Sequence, residues 1–284
     1  MLIDTHSHLD FPDFASDLDA VLARAKSAGV TRIITIGTSL ESSRRAIAIA
    51  ENRPQVFAVV GVHPNSAHEA PEGFITELRE LARHPKVAAI GETGLDYHRL
   101  PGAQLQRALA AGETAGGETA AKGETALADD AAQALQASAF EQQLELAAEL
   151  GLNVVIHERD AWDDTLALLK PYAGRLRAVF HCFGKSPQHA QQLLDDGHLV
   201  SFTGIVTFKN AQEAHATAAW IPAHCFMVET DCPFLAPVPF RGKRCEPAHT
   251  RQIAERIALL RGETLESVAA SATANAEAFF RLSR

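Results

Sequence analysis

The chain has 284 residues, of which 46% are hydrophobic and 21% are charged. This composition is sufficient for a large apolar core and excludes an intrinsically disordered or fibrous protein. The 35 acidic residues outnumber the 26 basic ones and give a formal net charge of -9. That balance excludes a uniformly basic nucleic-acid binder, but not a nuclease that holds phosphate through bound cations.

Short apolar runs alternate with amphipathic helical stretches along almost the whole chain. Helices are predicted between the runs, for example at Glu41–Glu51 and Phe74–Ala82, and two more, Pro247–Leu260 and Leu265–Phe280, close the chain. The apolar runs predict eight strands: Leu2–Thr5, Thr31–Ile36, Val56–Val62, Val87–Ile90, Val154–Ile156, Ala178–Phe180, Leu199–Phe202 and Phe226–Glu229.

The alternation of strands and helices predicts an α/β fold. Consecutive βα units require parallel strands joined by right-handed crossovers. Eight such units close most naturally into a (β/α)8 TIM barrel. A doubly wound open sheet is the competing architecture, but no glycine-rich dinucleotide fingerprint follows an early strand.

One segment after the fourth strand interrupts this pattern. It is rich in Ala, Gly, Glu and Thr, and the tetrapeptide Gly-Glu-Thr-Ala occurs at Gly112–Ala115, Gly117–Ala120 and Gly123–Ala126. We interpret about 103–135 as a low-complexity, repeat-bearing loop insertion, with a lid or partner-binding role as the alternative. The remaining length suits one barrel, so we expect a single domain over 1–284.

The cysteines and the amino terminus indicate the compartment. The four cysteines lack the spacing of a disulfide framework, which favours a reducing environment. The first residues show no signal peptide, and no apolar run is long enough to cross a bilayer. We therefore expect a cytoplasmic protein without membrane partners, and we expect it to be a monomer.

Metal-ligating residue types stand at the ends of five predicted strands, where barrel enzymes build their active sites. His6 and His8 are two apart at the end of the first strand, so both imidazoles project to one side. Hydrogen-bonded polar residues explain one or two such positions but not five. The other strand ends contribute Glu92, His157, His181 and Asp231.

These side chains are too numerous for one closed tetrahedral zinc site and predict two divalent cations. A water held between two cations is acidified enough to supply hydroxide near neutral pH. We expect Asp231 to accept its proton and Glu92 to bridge the ions, which makes both catalytic. The expected ligands are His6, His8 and Asp231 for one ion and His157 and His181 for the other, with Glu92 shared.

Basic residues near the same strand ends indicate an anionic substrate. The stretch 240–244 holds three cations after the last strand, and loops after strands seven and eight often bind phosphate in barrels. We expect Arg159, Lys209 and Arg244 to contact an anionic ester, with phosphate as the first choice. His63, at the end of the third strand, is a further candidate for substrate contact.

Five motifs stand in a recognisable order along the chain: Asp4–Leu9, Gly91–Tyr97, Ile156–Ala161, Ser201–Gly204 and Glu229–Asp231. Together they resemble the motifs of TatD-like metal-dependent deoxyribonucleases. The resemblance covers essentially the whole chain except the insertion. It implies a (β/α)8 barrel of the metallo-dependent hydrolase superfamily and the same six metal ligands. It also implies hydrolysis of DNA phosphodiesters from a 3′ end.

We accordingly expect a divalent-metal-dependent 3′–5′ exonuclease that acts on single-stranded DNA or 3′ ends without sequence specificity. Mg²⁺ is the expected functional ion, with Zn²⁺, Mn²⁺ or Ni²⁺ as alternatives. A small-molecule amidohydrolase with the same two-metal site is a second hypothesis. Such enzymes often carry a modified lysine where Glu92 stands here, which favours the nuclease. A non-catalytic metal-binding quality-control protein is the third hypothesis.

Overall fold

The computed structural model of the chain describes residues 1–104 and 118–282. Its strands form one sheet in which each strand pairs in parallel with the next. A parallel bridge between Ser7 and Cys232 nearly closes the sheet into a barrel, which confirms the predicted fold. The strands are β1 (Leu2–Ser7), β2 (Val30–Ile36), β3 (Val56–Val60), β4 (Val87–Asp96), β5 (Asn153–Arg159), β6 (Ala178–Phe180), β7 (Leu199–Phe202) and β8 (Phe226–Val228).

Helices alternate with these strands and cover the outside of the barrel. Their ends follow local sequence signals: the Ser39 and Thr264 side chains accept the first free backbone N–H groups of two helices. The helices are α1 (Leu18–Ser27), α2 (Leu40–Glu51), α3 (Phe74–Ala82), α4 (Glu118–Leu150), α5 (Trp162–Leu169), α6 (Pro187–Asp195), α7 (Gln212–Trp220), α8 (Thr250–Arg261) and α9 (Leu265–Phe280).

The repeat-bearing insertion falls only partly within the described residues. The repeat Gly112–Ala115 lies outside them. Helix α4 begins at Glu118, so the later part of the predicted loop is helical. Within residues 1–104 and 118–282, no helix combines the length and the apolar character that crossing a membrane requires.

The barrel interior is closed at the amino-terminal ends of the strands. Phe279 and Phe280 of α9 pack against the interior cluster, and the Asn153 side chain at the start of β5 donates to the Phe279 carbonyl. This seal leaves the carboxyl-terminal end of the barrel to form a site. The interior side chains are Ile3, Ile34, Ile36, Val59, Ala89, Val155, Val179, Leu199 and Met227.

Strand β4 is longer than the predicted Val87–Ile90. After an irregularity that follows Ile90, it pairs again with β5 as far as Asp96. Gly94 permits this pairing because it has a φ of 137°, and a Cβ there would collide with the His157 carbonyl oxygen. Glu92 therefore lies within β4 rather than at its end.

Candidate metal centre

The six side chains predicted as metal ligands lie together at the carboxyl-terminal end of the barrel, with Glu92 in the middle. Glu92 Oε2 lies 3.4 Å from His6 Nε2 and 3.8 Å from His8 Nε2. Its other oxygen, Oε1, lies 2.9 Å from His157 Nδ1 and 2.8 Å from His181 Nε2. Each oxygen of this buried carboxylate thus faces a different pair of imidazoles.

Asp231 completes the group on the Oε2 side. Its Oδ1 atom lies 3.3 Å from His8 Nε2 and 3.7 Å from His6 Nε2. Its backbone N–H donates to the His6 carbonyl, which ties the loop after β8 to β1. One ligand atom each from His6, His8 and Asp231 falls within 4.8 Å of the others, a spacing that one cation can span.

His63 joins the group on the Oε1 side, although the sequence indicated only a substrate contact for it. Its Nε2 atom lies 3.5 Å from Glu92 Oε1, and its ring is 4.4 Å from that of His157. His63, Glu92 and His157 form a second cluster with metal-ligand spacing, and a third, made of His6, Glu92 and His181, joins the two sides. The barrel fold brings His63 here because it lies three residues after the end of β3, next to β4.

The hydrogen bonds of two imidazoles fit a bound cation. His8 Nδ1 lies 3.1 Å from the Ile36 carbonyl and must donate to it, so Nε2, which faces Asp231 and Glu92, is the atom that can bind either a proton or a cation. Among the described residues, neither ring nitrogen of His6 has a hydrogen-bond partner, although the ring is fully buried. Such burial is costly unless the nitrogen binds a cation.

The contacts around Glu92 Oε1 also fit a bound cation. His157 Nδ1 lies 3.2 Å from His181 Nε2, and both approach Glu92 Oε1. Three acceptor-type atoms at these distances repel one another unless a proton or a cation lies between them. The nitrogen and oxygen donors on both sides of Glu92 therefore suit divalent metal ions.

Electrostatics prepare the centre for positive charge. Burial alone raises the pKa of Glu92, but the neighbouring imidazoles, above all that of His181, hold that pKa well below its usual value. Burial opposes a charge on His181, yet Glu92 and Glu229 raise its pKa well above 6.5. Burial lowers the pKa of His63 to about 3, so its ring is neutral and able to coordinate.

Asp96 holds His157 from the side opposite Glu92, a contact that the sequence analysis did not identify. Asp96 Oδ2 lies 3.3 Å from His157 Nε2 and accepts a hydrogen bond of 3.0 Å from Asn65. This carboxylate fixes the ring so that Nδ1 points to Glu92. The available signal was a second carboxylate four residues after Glu92, at the end of β4.

A second pair of buried carboxylates, Asp4 and Glu229, underlies the centre. Glu229 Oε1 lies 3.6 Å from His181 Nδ1, and this carboxylate accepts hydrogen bonds from the Cys182 N–H and the Ser201 hydroxyl. Asp4 accepts two hydrogen bonds from Thr230, and burial raises its pKa to about 8. Each lies two residues before a predicted ligand and begins one of the five motifs of the family resemblance, which were the available signals.

A cavity of about 700 Å³ opens above the centre. Arg159 and His63, two of the predicted substrate contacts, line it, and so does Arg99, which no sequence motif indicated. Lys209 is exposed and Arg244 lies elsewhere; neither is among the residues that line the cavity. The Arg244 guanidinium instead pairs at 2.8 Å with Asp17 and with Glu246.

A family sequence model matches nearly the whole length of the chain. The sequence model of the family described as TatD related DNase matches residues 3–281. The chain belongs to this family. The resemblance drawn from the five motifs is thereby confirmed, and the chain is a TatD-family metal-dependent hydrolase.

Individual relatives of the TatD family agree with this assignment. The chain is 36% identical over 283 residues to the uncharacterized metal-dependent hydrolase YabD of Bacillus subtilis, covering 99% of this chain and 100% of YabD. It is 33% identical over 287 residues to the 3′-5′ ssDNA/RNA exonuclease TatD of Salmonella typhimurium, covering 99% of each. The crystal structure of YjjV, a TatD homologue from Escherichia coli, superimposes with a TM-score of 0.83 at 28% identity, covering 99% of this chain and 98% of YjjV.

Proposed function

We propose that this chain is a metal-dependent exonuclease that removes nucleotides from the 3′ end of single-stranded DNA. The observation that carries the proposal is the position of Glu92, whose two oxygens approach different imidazoles within one continuous set of nitrogen and oxygen donors. Two-metal sites of this kind serve phosphoryl transfer. The 3′-5′ ssDNA/RNA exonuclease activity in the name of the Salmonella relative supports the substrate class.

We assign two divalent cations to the centre. When bound, they polarise the scissile phosphate and acidify the attacking water. Imidazole nitrogens dominate the donor set and suit Zn²⁺ or Ni²⁺ more than Mg²⁺, whereas the carboxylates also accept Mg²⁺ and Mn²⁺. The proposed ligands are His6, His8 and Asp231 on one side and His157 and His181 on the other, with Glu92 shared.

The remaining roles follow from position and charge. Burial alone raises the pKa of Asp231, but the hydrogen bond from His8 and the neighbouring imidazoles lower it below its usual value. Asp231 is therefore ionised and can accept the proton of the attacking water. Arg159 and Arg99 line the cavity and can hold the phosphate oxygens. Arg244 is engaged in ion pairs away from the cavity, so we do not assign it this role.

The test begins with protein stripped of metal and reloaded singly with Mg²⁺, Mn²⁺, Zn²⁺ or Ni²⁺. A single-stranded oligonucleotide labelled at its 5′ end should yield a ladder that shortens by one nucleotide at a time, the signature of attack from the 3′ end. A duplex of the same sequence should be cut more slowly. A matched panel of small esters and amides tests the amidohydrolase alternative.

Three variants separate this activity from contaminating nucleases. His6→Ala and Asp231→Ala should abolish cleavage because each removes a proposed ligand. His224→Ala, an exposed histidine near the opposite end of the barrel, should cleave like the unmodified protein. If no metal restores cleavage above the level of His6→Ala, the nuclease proposal is wrong.

A further inference from the structure

Two phenylalanine rings stand at the mouth of the cavity above the candidate metal centre. Phe234 is 51% exposed, Phe11 is half-buried, and both line the cavity. Their ring centroids lie 5.9 Å apart with the planes at 81°. Exposed aromatic surface costs free energy in water, so a pair placed at the entrance of a site indicates a ligand that covers it.

The backbone fixes both rings relative to the proposed metal ligands. The Phe11 N–H donates to the carbonyl of His8 at 3.2 Å, and the Phe234 N–H donates to the carbonyl of Asp231 at 3.0 Å. Each phenylalanine thus closes a tight turn that begins at a proposed ligand. The Phe11 ring also stacks on the His8 ring, 4.8 Å away at 23°. The distance from the metal centre to the rings is therefore set by local structure.

The opposite wall of the cavity has a different character. Phe11 follows β1 and Phe234 follows β8, whereas Arg99 follows β4 and Arg159 ends β5. In an eight-stranded barrel with this strand order, β8 and β1 lie across from β4 and β5. The cavity thus presents an apolar aromatic wall facing a wall with two arginines, which we call the cationic wall, with the candidate metal centre between them. Asp96 and Glu158 also line the cationic wall, but His157 and Lys185 pair with these carboxylates.

We propose that Phe11 and Phe234 form a stacking surface for the unpaired base of the nucleotide at the 3′ end. A nucleotide combines a flat apolar base with an anionic phosphate, so it complements both walls at once. A small phosphate ester without a base uses only the cationic wall. A paired base cannot stack there until the duplex end frays, which disfavours double-stranded ends.

This inference rests on the proposed function, and its test uses binding so that it does not depend on turnover. Two single-stranded oligonucleotides carry fluorescein at the 5′ end and differ only in their 3′-terminal residue, which is thymidine in one and an abasic tetrahydrofuran in the other. Fluorescence anisotropy with metal-free protein gives both dissociation constants. Stacking on an aromatic ring should favour the thymidine end by about tenfold.

The variants test whether the phenylalanines cause that preference. Phe234→Ala should bring the ratio of the two dissociation constants close to one, and Phe234→Trp should keep it or increase it. Leu259→Ala removes a side chain that is 72% exposed on α8, outside the cavity, and should leave the ratio unchanged. Because Phe234 is exposed, these substitutions leave the core intact.

The outcomes distinguish this inference from the proposed function. Equal affinities for the two strands in the unmodified protein, failure of the thymidine strand to bind, or a preference that survives in Phe234→Ala would each overturn the stacking surface. Failure of the proposed function appears separately, as no cleavage of either strand with any metal. Under those conditions, a base preference that Phe234→Ala removes would still support the stacking surface.

Discussion

Asp96 Oδ2 lies 3.3 Å from His157 Nε2 and turns the other nitrogen of that ring towards Glu92. A carboxylate behind a metal-binding histidine selects its tautomer, orients the ring and makes its free nitrogen more basic. Asp96 is therefore a positioning residue for the side of the centre that contains His157 and His181. It acts through His157 and from a buried position at the end of β4.

Asp96→Asn should weaken metal binding on that side on the order of 10- to 100-fold while the fold stays intact. The amide keeps the hydrogen-bonding shape but removes the charge. Metal titration followed by calorimetry measures the affinity, and circular dichroism checks the fold. Asp130→Asn, at an exposed position of α4, is the control and should bind metal normally. An unchanged affinity in Asp96→Asn would contradict the positioning role.

Gly94→Ala tests the pairing between β4 and β5 that carries Glu92 to the centre. A side chain at φ 137° is strained, and its Cβ would meet the His157 carbonyl. We expect a loss of stability of about 1–3 kcal/mol together with reduced metal content. Gly184→Ala is the matched control, because open space surrounds its Cβ position and its φ is not positive. Urea denaturation of both variants measures the difference; equal stabilities would refute the strained register.

The sequence predicted the barrel because eight apolar runs alternate with helices, and parallel crossovers leave few other arrangements. It also predicted the residues around Glu92, because strand ends meet at one rim. It did not predict the extension of β4 to Asp96, since that depends on pairing with β5 across Gly94. It predicted a substrate contact for Arg244, because nothing in the local sequence reveals the ion pairs of this side chain with Asp17 and Glu246.

Arg159→Ala should impair substrate binding, whereas Arg244→Ala should reduce thermal stability. Arg159 lines the cavity, so its removal should raise KM on single-stranded DNA severalfold. Arg244 holds Asp17 and Glu246 together, so its removal should lower the Tm by about a few degrees and leave KM unchanged. Steady-state kinetics and thermal unfolding on both variants separate the two roles. A raised KM in Arg244→Ala would show instead that Arg244 contributes to substrate binding.

The ion pairs of Asp17 with Arg24 and Arg244 should also make stability depend on pH. Hydrogen bonds from Arg244, opposed by burial and aided by Arg24, lower the pKa of Asp17 from 3.8 to about 2. A carboxyl whose pKa is lower in the folded state stabilises the fold above its unfolded pKa and loses that contribution as the pH falls towards the folded pKa. The stability difference between the unmodified protein and Asp17→Asn should therefore be constant above about pH 5 and shrink between pH 4 and pH 2. Urea denaturation across this range measures it; a difference that persists undiminished at the acidic end would contradict the ion pair.

Gln143 links the long helix α4 to the strands that hold the centre. From a fully buried position, its amide accepts from the Val62 N–H at 2.8 Å and donates to the Val62 carbonyl at 3.0 Å and the Thr93 hydroxyl at 2.7 Å. Thr93 directly follows Glu92, so this one side chain ties the segment just after β3 to the middle of β4. Leucine fills a similar volume but satisfies none of these groups.

Gln143→Leu should cost about 2–4 kcal/mol, because the backbone groups of Val62 and the hydroxyl of Thr93 stay buried without this partner. The neighbouring Gln142→Leu removes an exposed amide that bonds to Ser138 within the same helix, and should change stability by less than about 0.5 kcal/mol. Urea denaturation compares the two. Metal titration should also show weaker binding in Gln143→Leu, because the loss of the bond to Thr93 leaves the adjacent Glu92 less firmly held. Equal stabilities for the two leucine variants would show that α4 does not support the centre.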